Sequence, residues 1–395
     1  MAKLIDITGK AISGEWGNDD DAGTGIPVLR TTNFTNDGVI NYNNVVTRDI
    51  QKKDLSQKFL QPGDIIIEKS GGSDKQPVGR VVYYDGEPDK FLFNNFTGAL
   101  RVRDKSAWYP RYVFYALYGN YVKGGTRRYE NKTTGLHNLK TDQYVQDFAI
   151  QEQPLEYQRQ IVSRLDKVTK LIALRKEQLA KLDQLVKSRF IELFGDCLTN
   201  PKGWKTKCLE DIADVGSSKR VFVEELKEDG IPFYRGTEVG ALAEGKDIVP
   251  ELFITEEHYA ELCEATGTPQ IGDLLMPSIC PDGRIWVVNT DEPFYFKDGR
   301  VLWVHNIDAS YNPIFLLYTL KDRIMTDYSS IASGTTFAEL KIFALKKCRI
   351  FDVPLTMQND FATFIEQTDK SKLAIQQSLD KLELLKKSLM QEYFG

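Results

Sequence analysis

The sequence predicts an α+β protein in which two globular domains alternate with two long helices. The first observation is an internal repeat, because Pro154-Leu155-x-x-Gln158 recurs 200 positions later as Pro354-Leu355-x-x-Gln358. Phe194-Gly195 recurs at the same distance as Phe394-Gly395. The second observation is an uninterrupted apolar periodicity between these paired motifs, and the third is the short β-like runs outside them. A chain that contains the same sequence unit twice can present two similar surfaces related by a pseudo-two-fold axis.

Length and composition favour two globular units. The 395 residues suit two domains of roughly 150 residues plus connections, and 42% hydrophobic with 27% charged residues is typical of folded chains. The net charge of -5 argues weakly against nucleic acid. It does not exclude a local basic surface, since charge acts within about 8–10 Å at physiological salt.

The cysteines and the apolar runs predict a cytoplasmic protein. The five cysteines include no C-x-x-C pair, which indicates reduced thiols. No secretion signal is visible at the start, and no stretch approaches 18 consecutive apolar residues. We therefore expect no membrane segment.

Residues 1–153 form the first predicted globular domain. The apolar run Ile65-Ile66-Ile67 follows a Pro-Gly-Asp turn, and Arg80–Tyr84 is a second β-like run. The segment 109–118, which starts with Tyr-Pro, is helical in character. The mixture predicts an α+β domain.

Residues 154–195 are predicted to form a single long helix. No Pro or Gly interrupts the chain from Leu155 to Phe194, which allows a helix of about 40 residues and roughly 60 Å. Arg175 and Arg189 are the two basic residues in its heptad seam. The apolar members of the seam are Leu165, Val168, Ile172, Leu179, Leu182, Val186 and Leu193.

Residues 196–353 and 354–395 repeat this order. Offsets between matching motifs drift from 200 to 209 in the globular domains but stay at 200 in the helices. The second helix has Ile375 and Leu389 at the basic seam positions of the first, and Lys372 and Lys386 at apolar ones. This complementarity favours two different helices that pack on each other. The alternative is that each helix lies on its own domain.

The sequence predicts neither a catalytic centre nor a cofactor or metal site in this chain. The three histidines are widely spaced and form no zinc motif. The segment Gly240–Lys246 resembles a phosphate-binding loop but is followed by Asp247, where Ser or Thr is needed to hold magnesium. No Asn/Asp-Pro-Pro-Tyr/Phe sequence of adenine methylation is present.

The strongest candidate for a nucleic-acid surface is the segment 123–135. It carries four cations and one acid among glycines and hydroxyl residues. Lys and Arg neutralise phosphates, and Arg can also read guanine in the major groove. The alternative is an ordinary solvated loop. The cations are Lys123, Arg127, Arg128 and Lys132.

Further candidates lie at matched positions of the two halves. Arg30-Thr31 follows Ile26–Leu29, and Arg235 follows the similar Ile231–Tyr234 at an offset of 205. These positions serve either equivalent DNA contacts or only a shared turn. Polar segments of the second half add four further candidates, which are Lys219, Arg220, Thr335 and Thr336.

The order of domains and helices resembles the specificity subunit of type I restriction–modification systems. The segment Leu193–Asp196 through Asn200–Trp204 and Leu209–Ile212 is similar to that family's entry into its second target-recognition domain, and Gly334–Leu340 is similar to its exit. The resemblance covers essentially the whole chain.

The resemblance implies a non-catalytic, sequence-specific reader of double-stranded DNA. Each globular domain would be a target-recognition domain for one half of a split, asymmetric sequence, with the helices packed as an antiparallel coiled coil that sets the gap. The implied partners are two adenine-N6 methyltransferase subunits that use S-adenosylmethionine, and restriction translocase subunits. ATP and Mg²⁺ are likewise expected on partner subunits.

Two other functions fit the pattern. One is a scaffold that does not bind DNA and carries two protein-binding domains on a coiled coil, which the acidic net charge favours slightly. The other is the DNA reader of a related methyltransferase–nuclease assembly outside type I.

Overall fold

The computed structural model describes residues 1–52, 54–133, 136–334 and 338–395. The chain divides into two compact units, the first made of residues 1–177 and 376–395 and the second of residues 178–375. Each unit contains one globular part and one half of each long helix. The boundaries inferred above at 153, 195 and 353 stay a prediction.

The globular part of the first unit is an α+β fold. Two antiparallel layers form most of it, with sheet orders β2-β10-β6-β8 and β11-β12-β7, and a third sheet has the order β3-β5-β4-β9. The elements are β1 (Ala2–Lys3), α1 (Leu4–Thr8), β2 (Ile12–Ser13), β3 (Asn18–Asp19), β4 (Ile26–Leu29), β5 (Val46–Asp49), β6 (Ile65–Glu68), β7 (Ser70–Gly72), β8 (Val81–Tyr83), β9 (Leu92–Phe93), β10 (Thr97–Leu100), α2 (Pro110–Val122), β11 (Glu130–Thr133), β12 (Leu136–Leu139), α3 (Thr141–Asp147) and β13 (Ala149–Ile150).

The second unit repeats this plan. Its elements are β14 (Thr206–Cys208), β15 (Asp214–Gly216), β16 (Ile231–Tyr234), α5 (Gly236–Ala243), β17 (Phe253–Ile254), α6 (Glu256–Thr266), β18 (Leu274–Pro277), β19 (Trp286–Val287), β20 (Tyr295–Phe296), β21 (Val301–His305), α7 (Pro313–Ile331), β22 (Ala332–Ser333), β23 (Glu339–Leu340), α8 (Ile342–Lys346) and β24 (Arg349–Phe351). The long helices are α4 (Leu155–Phe194) and α9 (Leu355–Phe394).

The sheet orders confirm the internal repeat. The main sheet of the second unit has the order β15-β21-β18-β19, which matches β2-β10-β6-β8 strand for strand. In both units a parallel pair stands beside it, β4 with β9 and β16 with β20. Antiparallel pairs of short strands, β1 with β13 and β14 with β24, close each globular part. The predicted α+β class is therefore correct.

The long helices pack antiparallel within each unit. In the first unit Arg164 donates a 2.8 Å hydrogen bond to the Tyr393 hydroxyl, and Lys176 pairs with Glu383 at 3.1 Å. An early residue of α4 thus meets a late residue of α9. The second unit shows the converse, with Lys372 of α9 2.7 Å from Asp183 of α4. This geometry confirms the predicted antiparallel coiled coil.

Helix boundaries follow from local sequence. Pro154 and Pro354 stand just before α4 and α9, where a missing amide hydrogen costs nothing. Gly195 ends α4 with φ of +87°, a conformation that favours glycine, and its amide donates to the Ile191 carbonyl. In the described residues no helix has the length and apolarity that a membrane crossing requires.

Candidate nucleic-acid interface

A buried glutamine at the start of each long helix positions the globular part beside it. The Gln158 side chain accepts a hydrogen bond from the Tyr109 amide at 2.8 Å and donates to the carbonyls of Ala107 and Gln153, both at 2.8 Å. It thereby satisfies the polar groups where α2 begins. This contact explains why a Gln stands three residues after Leu in the repeated Pro-Leu-x-x-Gln motif.

The second unit builds the same contact with Gln358. Its side chain accepts from the Asn312 amide at 2.8 Å and donates to the carbonyls of Ser310 and Val353 at 3.1 and 2.9 Å. Gln158 and Gln358 are almost fully buried, so a lost partner there would leave polar groups without water. The sequence offered the signal as a repeated Gln, but its partners are set by tertiary structure.

The basic segment that follows α2 lies at one end of the first unit. Lys123 donates to the Phe394 carbonyl at 3.1 Å, and Arg127 donates to the Asp74 carbonyl at 3.2 Å. The Arg128 guanidinium lies 4.8 Å from the centre of the Tyr129 ring. Arg127 and Arg128 are exposed, which leaves their remaining N–H groups facing solvent. Hydrogen bonds from Lys123 and Arg127 to backbone carbonyls thus hold the segment in place, and the cations of Arg127 and Arg128 face solvent.

Arg30 begins a tight turn of the first unit. Its amide is capped by the Asn33 side chain at 2.9 Å, and its guanidinium reaches the Asn44 carbonyl at 3.4 Å. In the part of the chain that the structure describes, the Arg30 guanidinium forms no ion pair with a carboxylate, and its Nε is buried without a hydrogen-bond partner. The positive charge of this half-buried guanidinium is therefore not paired with a carboxylate in the described chain, which suits it to contact a phosphate or a base edge.

Arg80 holds this turn through hydrogen bonds to its backbone. It donates to the carbonyls of Thr31 and Phe34, both at 3.0 Å, and to the Glu68 carboxylate at 3.1 Å. Burial raises the pKa of Glu68, and the attraction of Arg80 opposes that rise. The turn that carries Arg30 and Thr31 is therefore held by a partly buried charge pair, which favours a fixed backbone.

The matching turn of the second unit treats its arginine differently. The Glu238 carboxylate accepts from the Arg235 amide at 2.8 Å and from its guanidinium at 2.6 Å. Glu251 adds a second ion pair at 2.9 Å. Burial acts to raise the pKa of Glu238, but the hydrogen bonds from Arg235 and Thr237 outweigh it and lower that pKa to about 2. Arg235 is neutralised by its neighbours.

Lys219 and Arg220 lie beside the same part of the second unit as Arg235. The Lys219 amide donates to the Tyr295 hydroxyl at 3.0 Å, and Arg220 pairs with Asp298 at 3.2 Å. Strand β20 contains Tyr295 and pairs with β16, which leads directly into Arg235. The structure thus brings these three candidates to one edge of the second unit, an association that sequence distance does not reveal.

Three candidates cannot be placed in this way. Thr335 and Thr336 lie outside the described residues. Lys132 belongs to β11 by its backbone, but its side chain is also outside the described part of the chain. All eleven proposed DNA contacts therefore remain predictions.

The chemistry of these turns suits binding more than catalysis. They present guanidinium, ammonium and hydroxyl groups, which bind phosphates and base edges. Among the residues that the structure describes, no group of three or more His, Cys, Asp or Glu side chains is arranged to hold a metal ion. The five cysteines are unpaired thiols, and burial raises the pKa of Cys280 to about 12, which makes it a poor nucleophile.

Two repeated α+β domains packed against the same two antiparallel long helices, with an arginine turn at matched positions, are the architecture of a modular recognition protein. The model of the family described as the type I restriction modification DNA specificity domain matches residues 2–184 and 201–385. The chain therefore belongs to that family and carries its specificity domain twice. This membership confirms the resemblance inferred from sequence and disfavours the scaffold alternative.

Known relatives agree with this assignment. A protein of Methanocaldococcus jannaschii, named as a type I restriction enzyme MjaX specificity subunit, is 21% identical over 359 residues, which are 87% of this chain and 80% of the relative. The solved type I restriction-modification S subunit of M. genitalium has the same fold, with a TM-score of 0.58, 15% identity and coverage of 100% of this chain and 95% of that one. A chain from a structural study of complex assembly and conformational transition of the type I R-M system also has this fold. Its TM-score is 0.57 at 17% identity, and the match covers 100% of this chain and 96% of that one.

Proposed function

We propose that each specificity domain of this chain recognises one half of a bipartite, asymmetric DNA sequence. The observation that carries this proposal is the contrast between the matched turns, with Arg30 next to neutral Asn33 and Arg235 next to Glu238 and Glu251. Two domains with the same fold and different charge at the reading edge are expected to prefer different bases. The target would therefore be non-palindromic.

In this proposal the chain reads DNA without performing chemistry. Phosphate contacts from Lys and Arg would supply most of the affinity, and a few base-edge contacts the specificity. Methylation and cleavage would be carried out by two adenine-N6 methyltransferase subunits and by restriction translocase subunits. These partners would bind S-adenosylmethionine, ATP and Mg²⁺.

The long helices would set the gap between the half-sites. Both span 40 residues, and the offset of 200 between them is kept from end to end. Inserting the same whole number of helical turns into α4 and α9 should lengthen the unspecified gap and leave the bases of each half-site unchanged. An unaltered gap would rule out this role of the helices.

The decisive experiment expresses the chain together with an adenine-N6 methyltransferase subunit of its own system and maps N6-methyladenine across the host genome. A single bipartite, asymmetric motif with a fixed gap is the expected result. A palindromic motif would contradict two different half-sites. A purified complex that produces no new methylation would instead point to a reader that serves an assembly outside type I.

A further inference from the structure

A pocket in the first unit has no role in the function proposed above. It has a volume of about 420 Å³ and opens where the end of α2 meets the antiparallel pair formed by α4 and α9. Tyr118, Ile172 and Met390 are largely buried and form its apolar side, with Val122 at its edge. A Cβ atom at Gly119 would lie only 2.8 Å from the Met390 Cε, so glycine keeps this wall thin.

The rim of the pocket is positively charged. Four lysines and two carboxylates line it, which leaves an excess of cations. Two of the lysines are already engaged, because Lys176 pairs with Glu383 at 3.1 Å and Lys123 donates to the Phe394 carbonyl at 3.1 Å. The other two are Lys386 and Lys387.

Lys386 is the half-buried lysine of this pair, whereas Lys387 is exposed. Its Nζ lies 5.2 Å from the centre of the Tyr118 ring, and within the described chain it makes no hydrogen bond or ion pair. The Lys386 side chain is half-buried, and this burial lowers the pKa of its ammonium against the opposing attraction of the Asp37 carboxylate. A partly buried charge of this kind is stabilised when an anion approaches it.

The second unit shows that the fold does not require this lysine. Val186 and Phe190 stand in α4 at the positions that Lys386 and Met390 occupy in α9, 200 residues later. Val186 is buried, and the Phe190 ring packs 5.2 Å from Phe194 and 5.6 Å from Phe361. At the two positions that match Lys386 and Met390 the second unit is thus apolar, and its lysine at the position of Ile172, Lys372, is paired with Asp183 at 2.7 Å. The charged pocket is a feature that the first unit has in addition.

We propose that the pocket binds a small amphipathic anion, with its acidic group paired to Lys386 and its apolar body against Tyr118, Ile172 and Met390. The volume lies in the range of about 300–1,000 Å³ that is usual for small-molecule sites, and the combination of an apolar wall with one placed charge is typical of them. A carboxylate and a phosphate share the required chemistry. Of the pocket residues only Lys123 is also a candidate DNA contact, and the variants below leave Lys123 unchanged, so each proposal can fail without the other.

Binding is tested by isothermal titration calorimetry of the full-length chain with decanoate, decyl phosphate and 1-decanol. At least one of the two anions should bind in a saturable manner with one site per chain, and its affinity should exceed that of 1-decanol by about tenfold or more. The better anion identifies the preferred acidic group. Equal affinities for the anions and the alcohol, or no saturable binding, would overturn the proposal.

Two pocket variants and one control variant test whether the binding occurs in this pocket. Lys386→Met keeps the length of the side chain and removes its charge, so it should weaken binding of the anion about tenfold. Lys381→Met removes an exposed charge from the same helix outside the pocket and should change nothing. The double variant Lys386→Val with Met390→Phe introduces the residues of the second unit and should abolish binding, with circular dichroism confirming the fold.

A second copy of the chain is the competing occupant of an apolar pocket. Light scattering over a range of protein concentrations distinguishes the two. A concentration-dependent dimer that the Lys386→Val, Met390→Phe variant disrupts, and that decanoate does not affect, would overturn the small-molecule proposal. A mass that is independent of concentration supports it.

Discussion

The turns that begin at Arg30 and at Arg235 occupy the same place in the two units and differ in charge. Each arginine follows the strand of a parallel pair, and in each turn a side chain three residues later caps the arginine amide. In the first unit that residue is the neutral Asn33, and no carboxylate within the described residues pairs with the guanidinium. In the second it is Glu238, which binds the guanidinium as well.

The two units keep the same capped backbone turn but differ in the charge of the side chain that caps it. An amide or carboxylate oxygen at the third position caps the turn equally well, because the cap needs only an acceptor. Whether the capping side chain also forms an ion pair with the guanidinium depends on its charge, so Glu238 forms one and Asn33 does not. The shared turn therefore belongs to the scaffold, and the ion pairing distinguishes one unit from the other.

The largest expected effect tests the part that both units share. Gln158→Leu removes three hydrogen bonds at the start of α2 and leaves buried polar groups without partners, which should lower the free energy of unfolding by about 3 kcal/mol. Gln358→Leu should cost a similar amount, since its three contacts are the same. Urea denaturation followed by circular dichroism measures both.

The matched control for this prediction is Gln160→Leu. Gln160 lies on the exposed face of α4 two positions after Gln158, so the change should alter the urea midpoint very little. A loss for Gln158→Leu that is no greater than for Gln160→Leu would show that the buried amide does not hold the two elements together. Unequal losses for Gln158→Leu and Gln358→Leu would break the equivalence of the two units.

Arg30→Ala and Arg235→Ala test the part in which the units differ. If Arg30 contacts a base through two hydrogen bonds, its loss should weaken binding to the first half-site by about 1–3 kcal/mol. Arg235→Ala should change DNA affinity little, because two carboxylates already neutralise that side chain. It should instead lower stability, since Glu238 loses its main partner.

Competition binding with duplexes altered in one half-site distinguishes these outcomes. The experiment uses the complex with its methyltransferase partners and the motif obtained from the methylation map. Equal losses of affinity for Arg30→Ala and Arg235→Ala would mean that Arg235 leaves its carboxylates on DNA. The proposed contrast between the two turns would then be wrong.

Much of the fold was predictable because local signals agree with it. The absence of Pro and Gly between Leu155 and Phe194 predicted the whole of α4, and the repeated motifs predicted α9. The complementary seams predicted that the two helices pack on each other, and the family resemblance implied that they do so antiparallel. The surroundings of Arg235 were not predictable, since Glu251 lies 16 residues away and reaches it only through the fold. The same holds for Lys386, which the heptad pattern assigned to the helix seam and the structure places against Tyr118 of α2.

Arg127→Ala combined with Arg128→Ala tests whether the basic segment after α2 contacts phosphates. Both side chains are exposed, and phosphate contacts contribute through charge, so binding should weaken by roughly tenfold and the salt dependence should become less steep. The second half-site should keep its preference. The charge-matched control, Lys3→Ala with Lys10→Ala, removes two exposed cations elsewhere in the first unit. An equal loss in that control would indicate a general effect of charge.

The smallest expected effect is the pH dependence of the Glu238 contact. The pKa of this carboxyl is about 2 in the folded protein and lies below its ordinary value of 4.5, so ionised Glu238 stabilises the folded state. That contribution is complete above about pH 4.5 and is lost as the pH falls through about 2. The stability difference between the protein and Glu238→Gln should therefore be constant from pH 7 to 5 and shrink toward pH 3.5.

In the first unit, Asn33→Gln changes no titratable group, so its effect should be independent of pH. Urea midpoints at each pH measure both differences. A Glu238→Gln effect that stays constant down to pH 3.5 would show that the carboxylate acts there as a neutral cap, as Asn33 does.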